Sequence, residues 1–83
     1  MTKEVFLLNT TIHFVSDNGW EYEVRQRRAG PESDRNFYLW TIDDDLICVV
    51  PTFIINDSLV HFARLYRFVM GACKEYEKAN GRT

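Results

Sequence analysis

Chemistry has few places to start in this chain of 83 residues. The histidines are His13 and His61 and the serines are Ser16, Ser33 and Ser58, with no motif joining any of them to a base or an oxyanion hole. Each histidine therefore reads as structural, His61 at the edge of a packed helix and His13 on a strand face. Cys48 and Cys73 stand 25 positions apart with neither a C-x-x-C pair nor a neighbouring histidine. They read as buried free thiols rather than as a zinc site or a disulfide scaffold. The triplet Asp43, Asp44 and Asp45 offers hard oxygen ligands for Mg²⁺ or Ca²⁺. Three adjacent residues cannot all point at one ion, so a solvated turn or a helix cap is the better reading. No cofactor and no metal is expected, and an enzyme is the least favoured function.

The remaining chemistry is basic. Arg25, Arg27 and Arg28, with Arg35 across a loop, could contact phosphates while Trp40 or Tyr38 stacks on a base. The competing reading pairs the same arginines with Glu21, Glu23 and Glu32 on a solvated face, and it is preferred. The glycines are scattered, so no phosphate loop exists. Gly71 alone falls inside an element, where it costs about 1 kcal/mol relative to Ala. It either permits a close contact or allows a slight bend.

These residues must be positioned by one domain, because 83 residues hold too little apolar surface for two cores. A hydrophobic fraction of 46% with 14% aromatics belongs to a folded chain, not a disordered one. No apolar run is long enough to span a bilayer and the N-terminus does not read as a signal peptide, so a soluble cytoplasmic protein without membrane contact is expected. The net charge of −2 hides an alternation: residues 1–24 and 36–57 are acidic, 25–35 and 58–83 basic. A DNA mimic would be far more acidic and a nonspecific DNA binder clearly basic, which excludes both extremes.

Val5 to Leu8 reads as an edge strand or a terminal arm. Thr11 to Ser16 alternates, Asp17, Asn18 and Gly19 supply hairpin chemistry, and Trp20 to Arg28 alternates again with Trp20, Tyr22 and Val24 inward and a charged, wet outer face. Residues 29–36 form a polar loop, and Phe37 to Ile42 returns as a strand at least partly covered on both sides, which suits a central position or an aromatic surface meant for a partner. For LICVV at 46–50 the β-branched content favours a fourth strand, while a short helix ending before Pro51 stays open.

Asp57 to Asn80 reads as one long amphipathic helix, capped by Asn56 or Asp57 and closed by a left-handed Gly81. Its apolar residues fill an arc of roughly 220°, far wider than the roughly 100° stripe of an ordinary surface helix. The arc through Leu59, Phe62, Tyr66, Val69 and Cys73 would meet the sheet. The flank of Leu65, Phe68 and Ala72 is left over, which predicts a protein partner or a second copy of the chain. Opposite, Arg64, Arg67, Lys74 and Lys78 fall within a narrow arc with only Val60, Gly71 and Glu75 among them, so the polar face is basic. The fold class is α+β, one domain over residues 1–83: an antiparallel sheet of three or four strands (about 5–50) packed on one long C-terminal helix (about 57–80).

The segment GWEYEVRQRR followed by FYLWT resembles, over some 25 residues, the strand pattern of phage-type integrase N-terminal domains and plant AP-two domains. That resemblance implies DNA binding through Arg25, Arg27, Arg28 and Arg35, and it breaks down at Asp43 to Asp45. The whole chain is similar in size and pattern to short uncharacterised proteins encoded by temperate phages and prophages of enteric bacteria. This resemblance implies an accessory factor acting by binding and carries no catalytic residue. The function expected is that of a small noncatalytic interaction protein with a protein partner. The alternative is a nucleic-acid-binding domain that uses residues 25–35 and the basic helix face.

Overall fold

Two tight turns of the same construction set the first half of the molecule. The structure, a computed structural model, describes residues 5–7, 11–26, 36–56 and 59–82. Its strands are β1 (Val5–Leu7), β2 (Ile12–Val15), β3 (Glu21–Arg25), β4 (Tyr38–Thr41), β5 (Leu46–Val49), β6 (Ile55–Asn56) and β7 (Leu59–His61), followed by the helix α1 (Phe62–Ala79). Between β2 and β3, Ser16 N–H donates to Trp20 O at 2.8 Å and Gly19 N–H to Ser16 O at 2.9 Å, with Gly19 at φ 88°. Between β4 and β5, Thr41 N–H donates to Asp45 O at 2.9 Å and Asp44 N–H to Thr41 O at 3.1 Å, with Asp44 at φ 69°. In each turn the first residue's hydroxyl also accepts a backbone N–H, from Trp20 to Ser16 at 3.2 Å and from Asp45 to Thr41 at 3.1 Å. This is a type I turn closed by a left-handed residue, a geometry that matches strand twist.

The two hairpins join into an antiparallel sheet of order β2-β3-β4-β5, so the 46–50 segment is a strand. Phe14, Tyr22, Val24, Phe37 and Leu39 face inward and are buried. A register shift between Leu39 and Trp40 interrupts the β4–β5 pairing. A bulge of this kind lets consecutive residues keep to one side, and both Ile47 and Cys48 pack on the core.

The helix begins five residues later than the sequence suggests. Ile55 pairs with Val60 and Asn56 with Leu59, making a short hairpin that β1 extends through Val5 with His61, in a second sheet of order β1-β7-β6. Asn56, one of the two expected caps, is paired in β6 instead of capping the helix; the other, Asp57, lies outside the described residues. His61 is the N-cap and makes no capping bond through its side chain. The other end follows expectation: Gly81 is left-handed at φ 66°, Arg82 N–H donates to Glu77 O at 2.7 Å and Gly81 N–H to Lys78 O. That pair of bonds is a Schellman closure.

The helix buries one line spaced by four, Leu65, Val69, Cys73 and Glu77. Phe62, Phe68, Met70, Ala72 and Tyr76 flank that line and pack against the core. The surplus apolar arc is absorbed within the chain, because Val50, Ile54 and Ile55 join the core beside the sheet. Trp20 and Tyr66, expected inside, are exposed at 41% and 47%.

Candidate interaction surfaces

Away from the helix, the four-stranded sheet carries a small charged and aromatic cluster that alternation predicted as a wet face. Glu23 and Arg25 are both buried there. Arg25 Nε donates to Glu23 Oε1 at 2.7 Å and an Arg25 terminal nitrogen to Asp44 Oδ1 at 2.6 Å. The guanidinium lies 4.1 Å from the centre of the Trp40 ring. Trp40 Nε1–H in turn donates to Arg25 O at 3.2 Å, and its ring meets Tyr38 edge-on at 6.1 Å. Trp40, half-buried, is thus held in one orientation from three directions. Beside it on β5, Leu46 and Val49 are 45% and 46% exposed, and Phe53 in the following turn is 72% exposed.

β5 is an edge strand: among the described residues no strand pairs with its far side. Val50 N–H donates to Phe37 O at 2.7 Å, so the next pair, Tyr38 with Val49, is the one without mutual hydrogen bonds. The N–H and C=O of Val49 therefore point outward. No residue of Leu46–Val49 is charged, whereas edge strands are commonly blunted by charge.

A buried polar network ties the other end of the sheet to the helix. Glu77 is 1% exposed. It accepts from Tyr22 Oη–H at 2.5 Å and from Asn18 Nδ2–H at 2.8 Å. Burial alone would raise the Glu77 carboxyl, but these bonds and the nearby Arg82 outweigh it and hold the group below its ordinary value. Burial and the bond to Glu77 push the Tyr22 hydroxyl upward. Burial, then Glu77 and Cys48, push the Cys73 thiol up to about 12, and burial raises Cys48. Both are free and, with thiolate disfavoured, poor nucleophiles. An open groove of about 510 Å³ lies between the Ser16 to Asn18 turn and Met70, Gly71 and Lys74. Its one buried carboxylate, Glu77, already accepts two hydrogen bonds, and the other ionisable side chains lining it, Asp17 and Lys74, are exposed.

Of the partner surface expected on the helix, Leu65 has no exposure at all, and Phe68 and Ala72 are half-buried against the core. That flank is an internal packing surface; among the exposed apolar side chains, Leu46, Val49 and Phe53 lie together on and after β5, while Val15, Trp20, Ile42 and Tyr66 are exposed elsewhere. The uncharged run between Asp45 and Pro51 was the sequence signal for it. Among the expected nucleic-acid contacts, Arg25 is taken up by Glu23, Asp44 and Trp40, while Arg27, Arg28 and Arg35 lie outside the described residues. Arg64, Arg67, Lys74 and Lys78 are all exposed, and among the described residues none has an ion-pair partner. Among the described residues, also, no helix is long and apolar enough to cross a membrane. No group of three or more His, Cys, Asp or Glu among them could hold a metal ion. No protein-family model, no curated protein and no solved structure matches the chain.

Proposed function

We propose that the protein is a noncatalytic binding module whose partner is a protein that adds an extended segment to the free edge of β5. The observation that carries this is the uncharged edge strand beside the pinned, half-exposed Trp40. Main-chain bonds to the outward N–H and C=O of Val49 would supply affinity, as in other strand additions. Trp40, Leu46, Val49 and Phe53 would supply the apolar contacts, an oriented tryptophan being a frequent energetic centre of an interface. A second copy of the chain, pairing β5 with β5, is the homodimeric form of the same reading.

The test uses Val49→Lys and Leu46→Lys, at side chains exposed enough to leave the fold within about 0.5 kcal/mol of wild type. Tagged wild type and both variants are incubated with nuclease-treated extract of the native cells, and bound proteins are identified while light scattering reads the mass of the pure chain. Wild type is expected to retain a protein, or to dimerise, and both variants to lose that behaviour. Retention of the same partner by both lysine variants would refute the edge.

A further inference from the structure

The solvent side of α1 carries Arg64, Arg67, Gly71, Lys74 and Lys78, spaced three, four, three and four residues apart. On an α-helix that spacing makes one straight seam, about 21 Å long at 1.5 Å per residue. All five residues are exposed. Two of them are poor choices for the helix itself. Arg64 stands in the first turn, which contains no acidic residue, and a cation there opposes the helix dipole. Gly71, at the centre, weakens a helix interior, yet a Cβ placed on it would meet nothing within 4 Å and its φ is not left-handed. Neither the chain's packing nor its backbone conformation requires a glycine. What a glycine does leave is room for an outside group to reach the helix backbone between Arg67 and Lys74.

We propose that this seam binds the phosphodiester backbone of nucleic acid without reading its sequence, on a face separate from the β5 edge. Cations repeated along a straight line suit a linear polyanion, and the seam contains no amide side chain of the kind that reads base edges. A bilayer surface suits it less, since an interfacial helix must insert its apolar face and that of α1 is buried in the chain's own core. A protein partner would need apolar anchors, and the seam has none.

The test is fluorescence anisotropy on the full chain with labelled mixed-sequence DNA, single-stranded and duplex, titrated between about 50 and 200 mM salt. Four phosphate contacts predict a slope of log affinity on log salt of about −3 to −4. Arg67→Gln and Lys74→Gln should each make it shallower by about one. Gly71→Ala should raise the melting temperature while weakening binding several-fold, a combination that a purely structural glycine cannot give. Vesicles containing phosphatidylserine form a third arm. The proposal is overturned by absence of DNA binding at low salt, by vesicle binding in its place, or by affinity and slope that ignore all three substitutions.

Discussion

Asp44 occupies the position that Gly19 holds in the matching hairpin, and the difference between them is informative. A left-handed backbone costs an ordinary residue roughly 1–2 kcal/mol, less for Asp and nothing for Gly. Asp44 therefore gives up local stability, and what it gains is the 2.6 Å ion pair that fixes Arg25 against Trp40. Its carboxylate is 62% exposed, so the pair returns at most about 1 kcal/mol. Asp44→Gly should accordingly be neutral or up to about 1 kcal/mol more stable, and Asp44→Ala, which keeps the strain and loses the pair, about 1 kcal/mol less stable. Urea denaturation would show the order Gly, Asp, Ala; Ala above Gly would contradict it. Gly19 was legible because Asp-Asn-Gly names its turn. Asp44 was not, since three consecutive aspartates suit a turn, a cap or an ion equally. Alternation likewise told the side on which Glu23 and Arg25 lie but not their depth, which depends on each other and on Trp40.

The helix was legible in its existence, its C-terminal closure and its basic face, and misread at its start. Ile54 to Val60 satisfies a helical period as well as a strand period, because apolar residues on both sides of a short polar stretch fit either. Pairing with β1, fifty residues away in sequence, decided the matter, and no local signal reports that. The surplus apolar flank was a true observation, and in the fold Leu65 is fully buried while Phe68 and Ala72 pack against the core that also holds Val50, Ile54 and Ile55. The C-terminal end of the helix is held by contacts that its own sequence does not announce. Trp20 Nε1–H donates to Arg82 O at 3.1 Å, and the Arg82 guanidinium stacks 4.4 Å from the centre of the Trp20 ring. Trp20→Ala removes both and should lower stability by about 1–2 kcal/mol. That is roughly 5–10 °C in a domain of this size. A calorimetric scan that found no change would show that the helix end is held without the tryptophan.

At the scale of the molecule, a sheet and a helix share one core across a thickness of 17 Å, and Glu77 is the polar link between the layers. The fold class could be read from the sequence; the second sheet and the link could not, since each depends on residues brought together from opposite ends of the chain. The folded carboxyl of Glu77 lies below its ordinary value of 4.5, so the folded state binds fewer protons than the unfolded one just below that pH. Stability from this group is complete above about pH 4.5 and is lost as pH falls through the folded value. Glu77→Gln should destabilise by about 1–3 kcal/mol at neutral pH, with the gap closing in acid. Equal loss of stability at pH 3 and pH 7 would count against the link. The same network has a bearing on synthesis. Tyr22 and Asn18 are made early and find their acceptor in Glu77, while Trp20 waits for Arg82. A nascent chain halted before the end of α1 holds a first hairpin in which Tyr22, buried in the finished fold, has not yet met its acceptor. The first hairpin is therefore expected to gain its last polar contacts only when the end of α1 has been made, and full protection of its amides from hydrogen exchange should require residue 82.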